Sequence, residues 1–136
     1  ASGSMTDDTV ARISAFVDSL DGDARRVSPT EWGISVDAAG WPLHVGVALR
    51  GGLLRAQAQV VEPGQLDPEL LLRFNRQLPL VRFSHTAAGD VYVQGELPPA
   101  VVDAQMLDTF LGMLVRAATL ARERAVDQAA LRDRSR

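Results

Sequence analysis

A chain of 136 residues, 46% hydrophobic and 23% charged, has the balance of one globular domain, long enough to bury a core without disulfide or metal staples. It contains no cysteine and no lysine, which removes disulfides, thiolate metal sites, a cysteine nucleophile, a phosphate-loop lysine and a Schiff base. A net charge of −3 and a pI near 5.3 argue against a nucleic-acid binder held by phosphate contacts.

Residues 1–4, Ala-Ser-Gly-Ser ahead of Met5, read as a tag remnant and are set aside. No basic-then-apolar leader follows Met5, and no apolar run approaches the roughly 20 residues of a membrane span, so a cytoplasmic protein is expected. Thr6 is placed to cap a first helix, and Val10, Ile13, Val17 and Leu20 give it one apolar face with Phe16 on the flank. Gly22 suits a left-handed helix end, and residues 21–30 read as a polar connecting loop.

Strand period takes over at Trp32. Trp32, Ile34 and Val36 alternate with Gly33, Ser35 and Asp37; Ala39-Gly40 then turns the chain into a run with Leu43, Val45, Val47 and Leu49 on one face. Arg50-Gly51-Gly52 signals a tight hairpin, and Leu54, Ala56, Ala58 and Val60 face one way in the strand after it. Pro63-Gly64 closes this meander. Asp67 caps a short second helix with Pro68 at its first position, and Pro79 stops it. Val81 and Phe83, then Val91 and Val93, mark two more strands. Pro98-Pro99 and Asp103 launch a long last helix, whose apolar residues from 106 to 120 fill two adjoining stripes. These are Met106, Phe110, Met113 and Ala117, beside Leu107, Leu111, Leu114 and Ala118.

No arrangement of reactive side chains rises above chance. His85 follows Ser84 directly, but adjacent strand residues point to opposite faces and cannot form a nucleophile–base pair. His44 and His85 lack zinc spacing, and Asp18, Asp21 and Asp23 around Gly22 lack the rest of a calcium loop. Glu31, Glu62, Glu69 and Glu96 fall at element ends. The expectation is therefore no enzyme, no cofactor and no metal site.

The second face of the sheet is more distinctive. Opposite the apolar residues lie Gly33, Ser35, Gly46, Ala48, Gln57, Gln59, Ser84, Tyr92 and Gln94, with Arg55 and Arg82 among them. An antiparallel sheet often leaves one face to solvent, with small residues easing its twist, and that reading stands beside a functional one. In the functional reading a partner segment either pairs along an exposed strand edge or approaches over Gly46 and Ala48, with Gln57, Gln59, Tyr92 and an exposed Trp41 completing the contact. The wide arc of the last helix (Met106, Phe110, Met113) and the apolar Leu70, Leu71 and Phe74 of the second helix suggest a homodimer interface.

Residues 32 to about 122 resemble the YbjN family, whose fold is that of the type III secretion (CesT/Tir-type) chaperones. The carriers are Leu72-Arg73-Phe74-Asn75, then Leu78-Pro79-Leu80-Val81-Arg82-Phe83-Ser84, then Gly89-Asp90-Val91-Tyr92-Val93, with the long helix following Glu96-Leu97-Pro98. The resemblance implies a small acidic protein, usually dimeric, that binds other proteins and carries no catalytic residues; the family is tied loosely to regulation and stress responses. An Arg-rich tail from residue 122 to 136 departs from a minimal chaperone.

The expected architecture is thus α+β in the order α-βββ-α-ββ-α, a twisted antiparallel five-stranded sheet with helices mainly on one face. Residues 5–122 form the domain and 123–136 extend the last helix, whose end projects, frays or meets a partner. The expected function is chaperone-like or adaptor-like binding of a segment of a partner protein by a homodimer, without a membrane or tight nucleic-acid contact. The alternative is a small-ligand-sensing regulatory domain.

Overall fold

The computed structural model describes residues 2–134, with side chains from Thr6 onward. Its elements are α1 (Ser2–Ser19), β1 (Asp23–Ser28), β2 (Glu31–Ala38), β3 (Trp41–Arg50), β4 (Leu53–Val61), α2 (Pro68–Asn75), β5 (Val81–His85), β6 (Val91–Leu97), a 3-10 turn (Pro99–Val101) and α3 (Ala104–Arg134). The strands pair antiparallel in the order β1-β2-β3-β4-β6-β5. The architecture is α+β, with the helices gathered on the apolar face, as the alternation predicts.

Two expectations need correction. The sheet has six strands because residues 23–28 are a strand and not a loop. Ala24 pairs with Ile34 and Arg26 with Trp32, so this strand turns Ala24 and Arg26 toward the helices, while the register shift after Arg26 sets Ser28 opposite solvent-facing Glu31. Arg26 hides the alternation: its guanidinium stacks 5.8 Å from the Trp32 ring, covering apolar surface with a charged residue's stem. The first helix also opens at Ser2, so Thr6 lies inside it.

The predicted caps and turns hold elsewhere. Asp67 accepts from the Glu69 amide at 3.1 Å and Asp103 from the Met106 amide at 2.7 Å. Ala39-Gly40 and Gly51-Gly52 have φ of 56° and 83°, and 60° and 76°, the positive pairs of tight hairpins.

The core lies between the sheet and α1 and α3. Arg26, Trp32, Val47, Ala56, Gly95 and Val81 form one row across all six strands on this face, and Phe110 of α3 seats over Gly95. Leu107, Phe110, Leu114, Ala117, Ala118 and Ala121 are all buried, and α3 touches α1, β2, β4, β5 and β6. The protomer therefore covers most of the two-stripe arc itself, and that arc no longer calls for a second copy.

Arg122 is drawn inward at the end of this surface. The β3–β4 ladder spans only Gly46–Arg50 against Leu53–Gln57; beyond it the two strands have no register with one another. At that parting Arg122 donates to the carbonyls of Val60, Ala38, Trp41 and Pro42 at 2.9–3.1 Å. Partial burial lowers its pKa, an effect that Asp37 opposes.

Both margins of the sheet are guarded. On β5, Asn75 of α2 donates to the Phe83 carbonyl at 3.1 Å and accepts from the Phe83 amide at 2.7 Å, imitating a neighbouring strand. The Val81 amide is taken by Pro79. On β1, consecutive arginines and a register shift between Arg26 and Ser28 disfavour further pairing.

Candidate functional site

The solvent face of the sheet follows from register alone. Arg25, Gly33, Gly46, Gln57, Gln94 and Arg82 lie side by side across the six strands, and Glu31, Ala48, Arg55 and Glu96 form the next row. Glycine and alanine in the middle strands with longer side chains at the ends give a basin of about 640 Å³. A side chain at Gly46 would meet nothing closer than the Gln57 carbonyl oxygen at 3.9 Å, so the floor is open space and not packed backbone.

The charged residues around this floor are mostly paired. Arg50 meets Glu31 at 2.8 Å, and Arg82 grips both oxygens of Glu96 at 2.8 and 2.9 Å. The hydrogen bonds from Arg82 lower the Glu96 pKa and raise that of Arg82, against a smaller opposing effect of burial. Glu96 thus adds stability above the ordinary glutamate pKa, and loses it as pH falls through the lowered one. Both groups are solvated, so the contribution is small. Arg25 lies 3.7 Å from Asp23 with both side chains exposed.

Of the residues expected to meet a partner, Gly46, Ala48 and Gln57 line the basin. Gln59 and Tyr92 share its face further along, where Gln59 bonds Asp90 at 3.1 Å. Trp41 stands apart at the β2–β3 turn. Its ring is 64% exposed and borders a second hollow of about 480 Å³ with Pro42, Val61, Val126 and Ala129. Of the residues expected at a dimer interface, Leu71 and Phe110 are buried in the protomer's own core. Leu70, Phe74, Met106 and Met113 are half-buried against it. Leu72, which the sequence reading used for the family resemblance and did not place at the interface, is 66% exposed on α2.

Sequence reasoning also passed over a contact between Ser35 and His44. These residues are direct partners on β2 and β3, with Oγ and Nδ1 2.8 Å apart. Polar side chains at paired positions meet in this way as a matter of geometry. Serine catalysis further needs an oriented base and oxyanion donors, and no carboxylate bonds the His44 ring among the described residues. Between the helices and the sheet, the apolar space is only about 20 Å³, too small for a ligand.

No protein-family profile and no curated relative matches the chain. Solved structures do. A chain of the HopA1–SchA chaperone–effector complex superposes with a TM-score of 0.64 at 14% identity, over 83% of this chain and 91% of that one. The Yersinia pestis type III secretion chaperone SycH, in complex with a fragment of YscM2, gives 0.64 at 17% identity, over 83% and 98%. The heterodimeric ExoU–SpcU complex from the type III secretion system of Pseudomonas aeruginosa gives 0.60 at 12%, over 82% and 96%. This is the secretion-chaperone fold. In the same chain the secretion-chaperone fold carries one strand more than the sequence predicts. No helix among the described residues is long and apolar enough to cross a membrane.

Proposed function

We propose that this protein is a non-enzymatic binding module, chaperone-like or adaptor-like, that holds a segment of a partner protein on the solvent face of its sheet. The observation that carries the reading is the small-residue basin on a sheet whose two edges are both guarded. Strand addition at a margin has to displace Asn75 or overcome the arginines of β1, whereas the face is already clear. The likeness to chaperones whose structures were solved in complex with effector or partner proteins points the same way. The tiny core-side space disfavours small-ligand sensing. Within this reading the chain is a cytoplasmic YbjN-like protein of a stress or regulatory response, the assignment its residue 72–97 motifs support.

The test fills the floor without changing charge. Gly46→Tyr with Ala48→Tyr is expected to leave the melting temperature within a few degrees, because Gly46 has a strand backbone and open space above it. Capture of partner proteins from the native cell, compared by mass spectrometry, should fall about tenfold or more for the variant. An unchanged set of captured proteins would rule out the face.

A homodimer belongs to the same proposal, now resting on Leu72 with half-buried Leu70 and Phe74 on α2 and exposed Leu80 after it. Light scattering at micromolar concentration should report twice 14.6 kDa, and Leu72→Arg should return the monomer mass. A wild-type mass of 14.6 kDa sinks this part of the proposal. Tight nucleic-acid contact is excluded from the reading. Glu123, Asp127 and Asp133 interrupt the tail arginines, Arg122 is turned inward, and Arg136 lies outside the described residues.

A further inference from the structure

We propose that the basin takes an acidic extended segment running across the strands, with a carboxylate seated on Arg55. This inference rests on the face being the partner-binding surface and adds the chemistry of what lies there. Among the described residues lining the basin, Arg55 is the arginine without a hydrogen-bonded or ion-paired carboxylate. Its cross-strand neighbours are Ala48 and Glu96. Ala48 offers it nothing, and Glu96, whose oxygens are hydrogen-bonded by Arg82, attracts it only through space. The exposed guanidinium therefore keeps a planar fork of donors matched to a carboxylate.

The row beside Arg55 completes the complementarity. It begins at Arg25 and ends at Arg82, with Gly33, Gly46, Gln57 and Gln94 between them. Two glycines let a backbone settle onto the β2 and β3 strands, and two glutamines can both donate to and accept from its peptide groups. Crossing six strands covers roughly 24 Å at about 4.8 Å per step, the length of about seven extended residues. Basin charge matters here because the chain as a whole carries −3, so a positive spot on this face is set against the general trend. An acidic segment is drawn to this spot against the repulsion of the chain's net charge.

The experiment uses the full chain and fluorescein-labelled peptides of about ten residues. One alternates Thr with Asp, a second Thr with Asn, and a third probe is an oligouridylate of similar length. By fluorescence anisotropy the acidic peptide should bind about tenfold tighter than the neutral one, and a rise in salt should erase the difference. Arg55→Gln should bring the acidic peptide down to the neutral level, leave the neutral one unchanged and keep the wild-type melting temperature. Equal binding of the two peptides, or an Arg55→Gln variant that keeps the preference, overturns the acidic assignment while the face reading survives. Tighter binding of the oligouridylate overturns it in favour of a nucleic acid. No binding of any peptide to the wild type overturns both readings.

Discussion

Gly95→Ala is expected to cost about 2–3 kcal/mol, the upper range for an overpacked core, and to lower the melting temperature by roughly 6–10 °C. The site is closed on two sides. A Cβ built there falls 2.7 Å from the Leu80 carbonyl oxygen and 2.7 Å from the Phe110 ring. Leu80 sits in a left-handed conformation with φ of 67°, so its backbone has little freedom to retreat. Phe110 is pinned between α3 and the sheet and is itself buried. Gly112→Ala, two residues beyond Phe110 on the same helix but facing open space, should move the other way. It removes a helix-interior glycine and is expected to stabilise by about 0.5–1 kcal/mol. Thermal melts of the two variants beside the wild type check both signs, and a Gly95→Ala protein as stable as wild type refutes the packing argument.

Arg122→Met is expected to cost about 2–3 kcal/mol, because it keeps most of the apolar stem and withdraws a charged donor from four carbonyls. Arg122→Lys should recover less than half of that loss. A lysine presents one compact cation, whereas the guanidinium reaches Val60 through Nε, Ala38 and Trp41 through Nη1, and Pro42 through Nη2. Urea melts would order the variants wild type, Lys, Met; equal midpoints for Lys and wild type would mean that charge alone, and not the fork, secures the strands.

What could be read in the sequence tracks the range of the interactions. Where each residue's neighbours are local, the elements and their caps were legible: alternation gave β2 to β6, and Asp67 and Asp103 announced the two later helices. β1 was not legible because its inward face is built from Ala24 and Arg26 alone before the register shifts, and the meaning of Arg26 depends on a tryptophan in the next strand. The candidate face was visible as a list of small and uncharged residues. Its arrangement was not, because alternation assigns residues to a face without saying which ones stand abreast. Ladder register decides that Arg82 meets Glu96, that Ser35 meets His44 and that Arg55 is left over. Arg122 was read as the start of a basic tail, since its acceptors are backbone carbonyls 62 to 84 positions away and leave no trace in side-chain pattern.

On the proposed reading of the face as the binding surface, the Asn75 cap on β5 and the arginines of β1 bear on release as well as on binding. A strand joined to a sheet margin must be peeled off one backbone bond at a time, and the last bonds resist longest. A segment lying across the face is held by the side chains beneath it, and its peptide groups enter no ladder. Such a segment can lift away without unzipping a ladder, so its departure is expected to be faster than that of an added strand. Meanwhile the blocked margins give a loosened or half-folded strand nowhere to add on. A sheet with no open margin offers no template for strand-on-strand aggregation.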